Sequence, residues 1–148
     1  MSIKQQIQDA MKEAMKSKDT PRLECLRMAK GALLLKEKEG AKDAELSDDV
    51  AVQTLRSEVR KRQQAVEQFV ELGKAEEAEA YRKEITVLEE FLPRQLTAEQ
   101  LEERVRAYLA EHPEVNHAGK LTGALKKELG DLADGKVLSE TCARVLAG

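Results

Sequence analysis

From Ala78 onward the apolar residues fall at Ala78, Tyr81, Ile85, Leu88 and Leu92, an unbroken alternation of three and four. Only an α-helix brings such a set onto one face, since a strand needs a period of two. The spacing recurs through the chain. It links Ile3, Ile7, Ala10, Met11 and Ala14, then Leu23, Leu26, Met28, Ala29, Leu33 and Leu34. It returns in Val52, Leu55, Val59, Val66 and Val70, with Arg62 in the gap and Phe69 widening the stripe. Ala, Leu, Glu, Lys, Gln and Arg, all good helix formers, dominate the sequence. Phe69, Phe91, Tyr81 and Tyr108 are the only aromatics, so the core must come from Leu, Val, Ile, Ala and Met on closely packed helices. The expected fold class is all-α.

Capping residues divide this pattern into helices. The first is expected from about Ile3 to Ser17, ahead of the break at Asp19-Thr-Pro21. Thr20 is the expected cap of the second, with Pro21 in its first turn, where a missing amide proton costs nothing. That helix should reach about Lys38, and its wide apolar face predicts burial on more than one side. Gly40 to Leu46 reads as a loop. Ser47 caps a long third helix whose first turn carries Asp48 and Asp49, and Gly73 ends it. The fourth runs from about Lys74 to Leu92, and the short connection makes the pair an antiparallel hairpin. Pro93 stops it. Thr97 and Gln100 form a capping box for a fifth helix with Leu101, Val105, Tyr108 and Leu109 on its apolar side, and Pro113 lies beyond its end. Two short helices follow, near His117–Leu129 and Asp134–Leu146. The expected organisation is an N-terminal four-helix domain, 1–94, and a three-helix tail, 95–148, able to reorient about residues 93–96. The alternative is one continuous bundle with a corner at Pro93.

The 25 basic and 28 acidic side chains nearly balance, so no global attraction to nucleic acid is expected. Residues 116–148 alone have a positive sum, 5 basic against 4 acidic. Cys25 and Cys142 sit in apolar helical patterns and read as buried thiols. No apolar run approaches the roughly 18 residues of a membrane span, and no hydrophobic leader follows Met1. A cytoplasmic monomer without membrane contact, metal or cofactor is expected.

Candidate functional residues gather in the tail. Gly119 and Gly123, one turn apart, allow another backbone or a phosphate to approach the helix, or serve close helix packing. Asp134 and Gly135 open the last helix. Lys120, Lys126, Lys127, Lys136 and Arg144 are candidate phosphate binders, and His117 either joins them or donates to a backbone group. Gly119-Lys120 is followed by Leu121 instead of Ser or Thr, with no strand before it, which excludes a P-loop. Arg56, Arg60, Lys61 and Arg62 form a second basic cluster, on the third helix. His112 and His117 flank Pro113 and lie far from either cysteine, so no zinc register exists. No acid–base pair or nucleophile elbow stands out, and no catalytic residue is assigned.

Taken in order, the Leu23–Lys30 segment with Arg27-Met28, the junction Leu88-x-x-Phe-Leu-Pro-x-Gln-Leu96, Gly119-Lys-Leu-Thr-Gly123 and Ala133-Asp-Gly-Lys136 resemble the GatB/YqeY domain family. The resemblance covers nearly the whole chain. It implies a helical N-terminal domain and a small helical tail shared with the B subunit of the tRNA-dependent Asp/Glu amidotransferase, where the tail helps to hold tRNA. The partners so implied are tRNA or a tRNA-bound complex, with a protein partner on the N-terminal helices as the alternative. The resemblance also carries an association with carbon–nitrogen ligase activity using glutamine as amide donor. This chain departs from the family pattern at Thr122 and in the less basic stretch Glu128-Leu-Gly-Asp131.

Overall fold

A computed structural model of the chain describes residues 1–40 and 44–148. Part of the Gly40–Leu46 loop expectation therefore lies outside the described residues. The chain is all-α, with seven α-helices among the described residues, and divides into two compact units, Met1–Pro93 and Arg94–Gly148.

The first unit contains α1 (Ile3–Lys16), α2 (Thr20–Glu39), α3 (Asp48–Glu71) and α4 (Ala75–Glu89). A capping box opens α1: Ser2 accepts from the Gln5 amide, and the Gln5 side chain returns to Ser2. The cap of α2 is Asp19 and not Thr20. The Asp19 carboxylate accepts from the Arg22 amide, placing Thr20 inside the helix. Ser47 caps α3 as expected, accepting from the Val50 amide at 3.3 Å. Helix α4 is shorter than its apolar pattern. The amides of Glu90, Phe91 and Leu92 bond to carbonyls three residues back, so the chain tightens before Pro93.

Helix α2 packs against α1, α3 and α4, and α3 pairs with α4 in the expected hairpin. Ile7, Leu26, Ala29, Leu33, Leu55, Val59 and Leu88 form the heart of this unit's core. Two residues of the expected apolar faces are exposed instead: Met28 is 59% exposed and Val70 is 52% exposed. The core takes no residue of α3 beyond Val59, which leaves Val70 at the open end of the hairpin. There Phe69 and Tyr81 stack, with ring centroids 5.7 Å apart. Arg62 fills the gap in the α3 stripe and is buried. Its Nε donates to Glu84 Oε1 (3.2 Å), and its Nη1 donates to the Glu58 carbonyl (3.0 Å).

The second unit contains α5 (Ala98–Glu111), α6 (Ala118–Leu129) and α7 (Gly135–Ala147), with a 3₁₀ turn at Gly130–Leu132 that the periodicity does not reveal. The Thr97–Gln100 capping box forms as read from the sequence. Leu101, Val105, Leu121, Leu125, Leu129, Ala133, Leu138 and Cys142 make its core, with Leu121 and Leu125 of α6 and Leu138 of α7 fully enclosed or nearly so.

Candidate nucleic-acid interface

Leu121, Leu125 and Leu129 turn one side of α6 into the core, which leaves Gly119, Lys120, Gly123, Lys126 and Lys127 exposed on the other. The two glycines have different surroundings. A Cβ on Gly119 would stand 3.0 Å from the His117 imidazole, so Gly119 is where the cap needs room. At Gly123 nothing lies within 4 Å of where a Cβ would be. Close helix packing within the unit therefore does not account for the pair.

His117 has a structural task. Its Nδ1 accepts from the amides of Gly119 (3.1 Å) and Lys120 (3.4 Å), capping α6. Of the two alternatives read for His117, donation to a backbone group is corrected: the nitrogen is the acceptor because first-turn amides are the unsatisfied groups. Asp134 plays the same part for α7, accepting from the amides of Lys136 (2.9 Å) and Val137 (3.2 Å). Gly135 follows with open space around its Cα, and Lys136 is exposed.

The basic residues divide by how they are engaged. Lys126 Nζ donates to the carbonyls of Gly130 (3.0 Å) and Ala133, tying the end of α6 to the approach to α7. Arg144 Nη2 lies 3.3 Å from Glu102 Oε1, an exposed pair. Lys120 and Lys127 flank the bare Gly123 position on the same face of α6. On α3 the second basic cluster does not assemble into a surface patch. Arg56 is buried and donates to the Pro93 carbonyl at 2.7 Å, and Arg62 is buried against Glu58 and Glu84. Lys61 pairs with Glu58 at 3.1 Å, and Arg60 is exposed. Their burial follows from helical phase: Arg56 and Arg62 fall among Val52, Leu55 and Val59, on the inward side.

Both thiols are enclosed. Burial pushes Cys25 up to about 11, against the smaller opposing pull of Arg62, and burial also raises Cys142. A raised thiol works against nucleophilic chemistry. No group of three or more His, Cys, Asp or Glu that could hold a metal occurs among the described residues. Nor is any helix among them long and apolar enough to cross a membrane.

Fold and surfaces together define a two-unit all-α protein whose accessible features are helix faces. The chain belongs to the Yqey-like protein family, whose model matches residues 4–146. Comparison with curated proteins gave no match.

Proposed function

We propose that this is a non-catalytic RNA-binding protein whose α6 face receives the sugar–phosphate backbone of tRNA or of a tRNA-bound complex. The observation that carries this reading is Gly123. A glycine in an exposed helix interior costs about 1 kcal/mol relative to alanine, and nothing in the unit occupies the space it leaves. Lys120 and Lys127 stand beside that space, and Lys136 and Arg144 extend the basic character into α7. His117, Gly119, Asp134 and Gly135 shape the two helix starts, and Lys126 holds the corner between them. Lysines on a helix face position a backbone without reading bases.

Titration of the full chain with total tRNA at two salt concentrations tests this. Binding should weaken with salt, and Lys120→Gln and Lys127→Gln should each lower the slope by about one. Gly123→Ala separates the reading from a purely structural one: it should stabilise the helix by up to about 1 kcal/mol and still weaken binding. Absence of binding at low salt overturns the proposal, and salt-independent binding overturns the backbone mode.

A second reading, a protein-docking module on the N-terminal helices, is favoured by the uncovered apolar residues of α2. Cys25 and Leu33 of α2 and Arg62 of α3 are buried and take no part in such a surface. The surface is formed instead by their neighbours. An accessory role in glutamine-dependent carbon–nitrogen ligation gains no support from the two enclosed, raised thiols.

A further inference from the structure

Helix α2 is apolar on two sides. Leu26, Ala29 and Leu33 are sealed in the first unit's core. Met28, Gly31, Ala32 and Leu35 follow the spacing i, i+3, i+4, i+7 on another side, where Met28 is 59% and Leu35 is 67% exposed. With Val50 of α3 they line an open groove of about 900 Å³ between α2 and α3. That spacing is the one by which a helix presents a seam to another helix. Gly31 lies in the middle of α2 with nothing within 4 Å of a Cβ position, so the groove floor has room for a side chain from outside.

We propose that this groove docks an amphipathic α-helix of a protein partner, its apolar stripe on Met28, Ala32 and Leu35 and a basic residue at the end facing Glu39 and Asp49. The occupant is a helix and not a strand because both walls are helices, whose backbone groups bond internally and offer no sheet edge. From Met28 to Glu39 the wall runs about 16 Å, or three helical turns. The α3 wall beyond Val50 is Gln53, Thr54 and Ser57, which suits the polar flank of such a helix. Charge sets its direction. Glu39 and Asp49 line the groove where α2 ends and α3 begins; Lys36 neutralises Glu39 at 3.1 Å, and Asp49 has no ion-pair partner among the described residues. At the other end Lys61 and Glu58 neutralise each other at 3.1 Å. Among the described lining residues the Asp49 end thus keeps one carboxylate without an ion-pair partner, which complements a Lys or Arg on the occupant. The inference rests on the first unit alone and is independent of the RNA reading.

The test uses the full isotope-labelled chain and a synthetic amphipathic peptide of about four turns, with leucines at i, i+3, i+4 and i+7 and lysines at one terminus. Amide shifts are expected at residues lining the groove on α2 and α3, with those of the second unit unchanged. Gly31→Leu, which fills the floor, and Leu35→Ser should each weaken binding by about tenfold or more. Both positions have open space or exposure, so melting temperatures should stay near the parent's. Asp49→Lys should weaken the lysine-ended peptide and strengthen a glutamate-ended one. The proposal is overturned by the absence of groove shifts, or by equal binding of a scrambled peptide of the same composition. It is equally overturned if sedimentation shows that a second copy of the chain occupies the groove.

Discussion

Lys18 has a φ of 59°, the left-handed conformation that costs most residues about 1–2 kcal/mol. It closes α1 in a Schellman arrangement. The Asp19 amide donates to the Ala14 carbonyl (2.9 Å) and the Lys18 amide to that of Met15 (3.3 Å). Gly73 closes α3 in the same way at φ 72°, with the Lys74 amide on the Phe69 carbonyl at 2.8 Å. Gly73 was legible as a stop signal because glycine is the usual residue there, whereas nothing in the sequence marks Lys18. Lys18→Gly should therefore raise the unfolding free energy, and Gly73→Ala lower it, each by about 1 kcal/mol in urea titrations. Cys25 makes a separate expectation at alkaline pH. Its folded thiol stays protonated up to about 11, whereas the unfolded thiol ionises near 9.0. The unfolded state gains from ionisation first, so this contribution is intact below pH 9 and is lost as pH rises from 9 to 11. The loss is about 2–3 kcal/mol. Urea unfolding of the parent and Cys25→Ala across that range should show a smaller alkaline loss in the variant.

Within the helices, the inward side is set by phase, and phase was readable for the parts that carry leucine and valine. Arg62 could be seen only as an interruption of the α3 stripe. Its partners come from different places: Glu58 is one turn earlier on α3, but Glu84 belongs to α4 and is reached only when the hairpin closes. Arg62→Ala would leave two carboxylates facing a partly buried gap, and a cost of about 3 kcal/mol is expected. Arg62→Met, which keeps the volume and removes the charge, should cost less, and the difference between the two in chemical denaturation checks the assignment. Helix α2 shows the opposite case. Its wide apolar face predicted burial on more than one side, and α1, α3 and α4 do pack against it, yet the first unit covers only part of the helix. Met28 and Leu35 remain in the open, because no helix among the described residues of that unit packs over their side.

At the scale of the whole molecule, each unit holds its own side of the connection at residues 93–96. The Pro93 carbonyl is held by Arg56 at 2.7 Å, within the first unit. The Gln95 side chain donates to the Asp131 carbonyl (2.9 Å) and the Leu96 amide to that of Leu132 (2.8 Å), within the second. These bonds predict that any reorientation expected over residues 93–96 centres on the backbone around Arg94. Amide relaxation should give each unit its own correlation time, and Arg56→Ala, by freeing Pro93, should lower the order of residues 92–94. A single correlation time for the whole chain would make it one rigid body.

By itself the sequence determined the all-α class, the helix starts at Ser47 and Thr97, the stop at Gly73 and most of the inward residues of the first five helices. These follow from local rules, helical period and capping chemistry, that act within a few residues. Tertiary structure alone decided which candidate cations were engaged and which apolar residues were left uncovered. Lys126 was drawn onto the carbonyls of the following turn, Arg56 and Arg62 were taken inside, and Gly123 and Gly31 were left facing open space. Each outcome depends on what another segment brings to the same point, and a spacing pattern along one helix carries no record of that.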